Sequence, residues 1–179
     1  MDYLVETWSA GIREEDLADL AEVLHECVHA GASVSFVLPF SVSDARAFWS
    51  DRVVPYVQAG SRIVVVARMS GDIVGTVQLD TATPPNQPHR ADVKKLLVHP
   101  RARRLGIARA LMIAVEREAQ RAGRSLLTLD TVSKGAAEGL YRSLGYEVSG
   151  VIPRYALNHT SSVLEPTTVM YKEITPDKR

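Results

Sequence analysis

Apolar positions recur at helical spacing over residues 14–30, where Leu17, Leu20, Ala21, Leu24 and Val28 fall on one side. Gly31 stops that helix. A second helix is predicted over 43–59, with Ser43 as its cap and Ala47, Phe48, Val54 and Val57 as its apolar side. Pro55 should kink or break it. The period then changes. Residues 62–69 and 73–79 are β-branched runs, and Ser70-Gly71-Asp72 between them is a turn signal, so the two form a hairpin. A further strand is expected early, near Leu4–Trp8.

Residues 81–88 hold prolines and an asparagine and read as a loop. A strand over 90–98 follows and ends at Pro100. Residues 104–122 form an amphipathic helix with Ala108, Leu111, Met112, Val115 and Ala119 on one face, closed by Gly123. The remaining pattern gives a short buried strand at 125–131, a helix at 135–144 closed by Gly145, a strand at 146–151 and a last strand at 167–174 after a polar loop. Antiparallel strands followed by a β-α-β unit predict an α/β fold with a mixed sheet.

With 179 residues the chain fits one domain, residues 1–179. Lys plus Arg and Asp plus Glu are equal at 21 each, so no basic excess marks a nucleic-acid binder. Cys27 is the only cysteine, which rules out an internal disulfide, and its apolar-periodic surroundings make it a buried structural thiol. The N-terminus has no basic and apolar leader pattern, and the longest apolar run, 63–67, is too short for a bilayer; a cytoplasmic protein without membrane partners is the default. The histidines are scattered and no His, Cys, Asp or Glu pair has zinc spacing, so no metal is expected.

The junction at Pro100 carries the chemistry. A strand ends, Arg101, Arg103 and Arg104 follow, and a helix begins with Gly106 in its first turns. Cations at a helix N-terminus are unfavourable on their own, whereas unpaired amides there attract anions and a glycine lets a phosphate approach. A bound anion would account for the arginines; a solvated, arginine-rich helix start is the competing explanation. Neither a G-x-x-x-x-G-K-[ST] loop nor a strand-linked G-x-G-x-x-G is present.

Arg103-x-x-Gly106-x-Ala108 resembles the [QR]-x-x-G-x-[GA] signature of the GCN5-related N-acetyltransferases (GNAT), and Leu96-x-Val98-x-Pro100 resembles the strand leading into it. Downstream, Ala137-x-x-Leu140-Tyr141-x-x-x-Gly145-Tyr146 is similar to the family's A-x-x-[LF]-Y-x-x-x-G-F segment. Segments 28–34, 90–96 and 129–131 look similar to the tabtoxin-resistance acetyltransferases, which acetylate a β-lactam amino-acid toxin. The resemblance spans nearly the whole chain. It implies a single-domain GNAT-type mixed central sheet with helices on both faces, acetyl-CoA as co-substrate, and an antibiotic or toxin resistance role.

By that resemblance, acetyl-CoA lies where the strands 90–98 and 125–131 splay apart. Leu96 and Val98 would meet its pantetheine arm, and Arg103, Arg104, Gly106, Ile107 and Ala108 would surround its pyrophosphate. A small-molecule amine then attacks the thioester directly. Tyr141 is the candidate acid, since a phenol is protonated at neutral pH and can donate to the leaving thiolate or stabilise it. Asp92 and Asp130, each inside an apolar strand, are candidate carboxylates for binding the substrate ammonium and taking its proton; burial would raise their pKa. Where the family commonly has Asn, this chain has Lys134, which puts one cofactor contact in doubt and offers a cation to a phosphate instead. His29 and Ser33 fall in a segment after the first helix that covers the acceptor in this fold, while His99 should be exposed. The acceptor pocket is expected from loops at 29–40 and 154–166. A protein acceptor, a non-catalytic acyl-CoA-binding module and a homodimer all stay open.

Overall fold

A computed structural model describes residues 2–8 and 11–177. Its elements are β1 (Leu4–Trp8), α1 (Glu14–His29), α2 (Val42–Arg52), α3 (Val54–Gln58), β2 (Arg62–Met69), β3 (Asp72–Asp80), β4 (Arg90–Val98), a 3-10 turn (Pro100–Ala102), α4 (Ile107–Arg121), β5 (Leu126–Val132), α5 (Ala136–Ser143), β6 (Glu147–Leu157) and β7 (Leu164–Glu173). The strands form one sheet in the order β1-β2-β3-β4-β5-β7-β6. β4 and β5 are parallel, and α4 supplies the crossover that parallel neighbours require; the other pairs are antiparallel.

Helices cover both faces, and the β-branched runs show why. In β2, Val64 and Val66 pack under α1 and α2 with Leu20, Leu24 and Trp49, while Val65 and Ala67 point the other way, toward Ile107, Leu111 and Met112 of α4. A strand buried on both sides loses the polar alternation of a half-exposed one. Gly75 in β3 sets how close α4 comes. A Cβ there would stand 3.1 Å from Ile107 Cγ2, Leu111 Cδ1 and the Leu97 carbonyl.

Several element boundaries differ from those the pattern predicts, each for a local reason. Ser41, not Ser43, caps α2: its hydroxyl accepts from Asp44 N (3.1 Å) while its own amide donates to Asp44 Oδ2 (2.9 Å), a reciprocal capping box. The predicted 43–59 helix breaks at Val53, so that Pro55 sits in the first turn of α3, where a missing N–H costs nothing. His29 is the last residue of α1 and not a loop residue. The segment 154–166 is strand at 154–157 and at 164–166, with a loop at 158–163 between them. β6 runs on through Pro153, because it is an edge strand whose pairing shifts between Ile152 and Ala156, and a proline is tolerated at such an edge bulge.

Candidate active site

The helix predicted from Arg104 starts at Ile107, because the residues before it curl into a cradle. Arg104 (φ +66°) and Gly106 (φ +83°) both take left-handed backbone, and Gly106 is the N-cap. Such alternation turns successive amides toward one point. The N–H groups from Arg104 through Arg109 find no acceptor among the described residues. They are the unpaired donors of a helix start, at the positive end of its dipole. Arg103 and Arg104 are exposed beside them, whereas Arg101 is drawn away to Asp72 (2.9 Å) at the start of β3 and does not add to the cradle. Ile107 is buried under β3 and anchors the helix, and Ala108 follows in its first turn.

The cradle opens onto a gap in the sheet. β4 and β5 pair through Arg90–Leu126, Ala91–Leu127 and Asp92–Thr128 and then diverge, leaving their C-terminal halves without each other. Leu96 and Val98 lie on the β4 side of that gap. The Val98 carbonyl accepts from Arg103 Nε and from the Cys27 thiol, each at 3.3 Å. Cys27 is buried and its pKa is pushed up by desolvation, so it is a structural thiol fastening α1 to β4. His99, expected to be exposed, is buried: its Nδ1 accepts from Arg101 N (3.1 Å) and shapes the turn ahead of the cradle.

Tyr141 projects from α5 and is buried, packed at 5.8 Å from the Tyr146 ring. Burial first, and the nearby Asp130 charge second, push its pKa up to about 12. Nothing among the described residues hydrogen-bonds its hydroxyl, and unlike the Tyr146 hydroxyl that atom is not sealed from solvent. The start of α5 is held by Glu138, which accepts from Lys134 N (2.7 Å), Thr168 Oγ1 (3.1 Å) and Arg142 Nη2 (2.8 Å). This fixes Lys134 at φ +62° with its side chain exposed and unpaired among the described residues.

The two aspartates separate. Asp92 is half-buried, ion-paired to Arg90 and hydrogen-bonded by Thr128. Asp130, expected inside an apolar environment, is exposed; Thr167 Oγ1 donates to it at 3.3 Å. It lines a cavity of about 240 Å³ together with Ser33, Phe36, Tyr155, Glu165 and Thr167. Ser33 also lines this cavity. His29 does not: it borders a separate depression beside Leu38, Phe40 and Asp44, and its Nε2 bonds the Phe40 carbonyl at 2.9 Å.

Sequence reasoning missed Lys95 and Glu165. Lys95 occupies the irregular part of β4 with φ +54°, and its ammonium holds Val34 O (2.6 Å) and Ser35 Oγ (3.0 Å) near the Phe36 and Phe48 rings. Desolvation outweighs these contacts and lowers its pKa to about 8. An apolar pair, Leu96-Leu97, follows two lysines in a regular-looking strand, so only the bulge, which sequence does not display, turns Lys95 toward the loop. Among the described residues no group of His, Cys, Asp or Glu is arranged to hold a metal ion, and no helix is long and apolar enough to cross a membrane.

Comparison with known proteins agrees with this architecture. Residues 60–148 match the family described as Acetyltransferase (GNAT) domain. The chain is 35% identical over 122 residues to an uncharacterized N-acetyltransferase of the hisH-hisA intergenic region of Azospirillum brasilense, covering 66% of this chain and 70% of that one. The solved structure of yncA from Salmonella typhimurium, bound to its cofactor acetyl-CoA, superposes with a TM-score of 0.78 at 18% identity over 100% of this chain and 98% of that one. A GCN5-related N-acetyltransferase from Kribbella flavida gives 0.76 at 22% identity, over 96% and 98%. With the parallel pair splayed beside an amide-lined helix start, and with relatives of this kind, the chain belongs to the GNAT acetyltransferases.

Proposed function

We propose that the chain transfers an acetyl group from acetyl-CoA to the primary amine of a small molecule. The observation that carries this reading is the run of free amides from Arg104 to Arg109 at the mouth of the β4–β5 gap. A pyrophosphate fits such a cradle, with Arg103, Arg104 and Lys134 as exposed cations around it and Gly106, Ile107 and Ala108 giving backbone donors. Leu96 and Val98 would flank the pantetheine arm along the opened edge of β4. The Salmonella typhimurium structure, which shares the fold and holds acetyl-CoA, supports the same donor here.

The acceptor enters the cavity beside Ser33 and Asp130. It arrives as an ammonium, Asp130 binds it, and one proton passes to Asp130 or through it to water. The neutral nitrogen attacks the thioester carbonyl: a C–N bond forms, the C–S bond breaks and the sulfur leaves as a thiolate. The second proton of the nitrogen goes to solvent. Tyr141 meets the thiolate. With a pKa of about 12 against about 8.5 for a thiol, full proton transfer from the phenol is uphill by roughly 5 kcal/mol. Tyr141 is therefore a hydrogen-bond donor that stabilises the thiolate until solvent protonates it. Asp92, already satisfied by Arg90 and Thr128, serves the strand junction; Asp130 is the carboxylate of the reaction.

The small size of the cavity, about 240 Å³, favours a small acceptor over a protein chain. An amino-acid-like toxin or antibiotic is the acceptor that the tabtoxin-type segments suggest. Acetyl-CoA at 100 times its Kd should add about 2.7 kcal/mol of stability, seen as a raised Tm, and thiol release should depend on added amine. An unchanged Tm with saturating acetyl-CoA would overturn the reading.

A further inference from the structure

We propose that the acceptor is a linear aliphatic polyamine, with one cationic end held by Asp130 for reaction and its far end held by Glu165. This rests on the acetyl-transfer reading above and replaces the amino-acid-like acceptor that the tabtoxin-type segments suggest. Most acidic side chains of the interior are committed: Asp16 to Arg13 and Arg68, Asp80 to Arg62 and Lys94, Glu116 to Lys172, Glu138 to Arg142. Asp130 and Glu165, both on the cavity wall, have no basic group within 4.0 Å among the described residues.

The register puts both on one face. Asp130 lies opposite Val169 of β7, and Thr167 and Glu165 follow at the two-residue spacing of that face; the bond from Thr167 to Asp130 confirms the direction. At ~3.4 Å per residue, Glu165 is about 14 Å along the strand from the level of Asp130. That is the reach of an extended triamine and not of a simple monoamine. The cavity wall also holds Phe36, Tyr155, Leu157 and Pro166, a surface suited to methylene groups; the Tyr155 ring offers a face to a cation, whereas Phe36 already carries Lys95 Nζ at 5.3 Å.

The reacting end follows from the acetyl-transfer reading. Tyr141, only 6% exposed and without a hydrogen-bond partner for its hydroxyl, is close enough to Asp130 to feel its charge. Lys95 is the nearby cation, but it is spent on Val34 O and Ser35 Oγ and does not line the cavity. An acceptor with its own carboxylate, such as an α-amino acid, would set it against two carboxylates with no free cation to receive it, a mismatch that selects against that class.

The test uses the full chain with acetyl-CoA and follows thiol release with spermidine, n-butylamine and glycine. Spermidine should exceed n-butylamine in kcat/KM by at least about tenfold, which corresponds to roughly 1.4 kcal/mol, and glycine should be poorest. Glu165→Gln should close that gap by raising KM for spermidine while leaving n-butylamine unchanged; the Glu165 side chain makes no hydrogen bond among the described residues, so this variant should fold normally. Equal rates on spermidine and n-butylamine, a preference for glycine, or an undiminished gap in Glu165→Gln would each overturn the inference. If acetyl-CoA raises the Tm but no amine of this class is acetylated, only the acceptor is wrong. If acetyl-CoA neither raises the Tm nor releases thiol with any amine, the acetyl-transfer reading fails and the acceptor with it.

Discussion

Lys95 Nζ donates to the Val34 carbonyl at 2.6 Å, tying the irregular middle of β4 to the segment that roofs the candidate acceptor cavity. The tie is made by a desolvated ammonium whose pKa is about 8, below the ordinary 10.5. A lysine depressed on folding binds fewer protons in the native state than in the unfolded one between those two values. Stability therefore rises with pH across that window, and the cost of keeping the ammonium is fully present below pH 8. Chemical denaturation of the wild type and of Lys95→Met, from pH 7 to 10, should show the wild type gaining on the variant by up to about 3 kcal/mol. Parallel curves for the two proteins would mean that Lys95 is not desolvated.

Gly106 combines a left-handed φ of +83° with the N-cap of α4. Alanine there meets no close backbone, only Tyr3 Oη at 3.6 Å, so its cost is conformational, about 1–2 kcal/mol. Relief of that strain would rotate the amides out of convergence. Gly106→Ala should lower the Tm by a few degrees and raise KM for acetyl-CoA at least about tenfold, with KM for the amine unchanged. A variant that loses stability yet keeps its acetyl-CoA affinity would detach the cradle from the pyrophosphate.

These two residues mark where the sequence is legible and where it is not. Gly106 announces itself through Arg103-x-x-Gly106-x-Ala108; the helix of 14–30 and most of that of 104–122 follow from period, and the 62–79 hairpin from period together with its Ser70-Gly71-Asp72 turn. Local rules failed where tertiary context decides. The strand predicted at 146–151 runs on to Leu157 because it is an edge that tolerates Pro153, and Asp130 reads as buried until its end of β5 turns out to open on a cavity. Lys95 and Glu165 carry no local signal, since one depends on a bulge and the other on cross-sheet register.

Gly75 tests the packing that supports the cradle. A methyl group at this position would press on Ile107 and Leu111 side chains and on the Leu97 carbonyl at 3.1 Å, and the backbone oxygen cannot step aside cheaply. Gly75→Ala should cost about 1–3 kcal/mol through overpacking and lift the first turn of α4. Thermal denaturation and KM for acetyl-CoA should worsen together; a stable variant would show that α4 has slack against β3.

Asp92 and Asp130 predict opposite outcomes. Asp92→Asn leaves Arg90 without its ion-pair partner at the last β4–β5 ladder position, so it should lower the Tm while kcat changes little. Asp130→Asn, at an exposed carboxylate with one long hydrogen bond, should leave the Tm unchanged and reduce kcat/KM for the amine by about 100-fold. Melting curves and steady-state rates on the two variants, measured side by side, decide between them. The reverse pattern would move the reacting carboxylate to Asp92.

Tyr141→Phe removes one oxygen from a buried ring and leaves no buried partner unsatisfied, because nothing in the described chain bonds that hydroxyl. The fold should persist, with kcat falling about 100-fold and both KM values nearly constant, the mark of an interaction made to the leaving sulfur and not to the bound substrates. The pH profile separates this role from general acid catalysis by a group titrating near neutrality. With a phenol raised to about 12, wild-type kcat should show no descending limb up to pH 10, and the variant should follow the same profile at a lower level. A wild-type descending limb below pH 10 that disappears in Tyr141→Phe would instead make the phenol an acid of nearly ordinary strength, one that gives its proton to the sulfur outright.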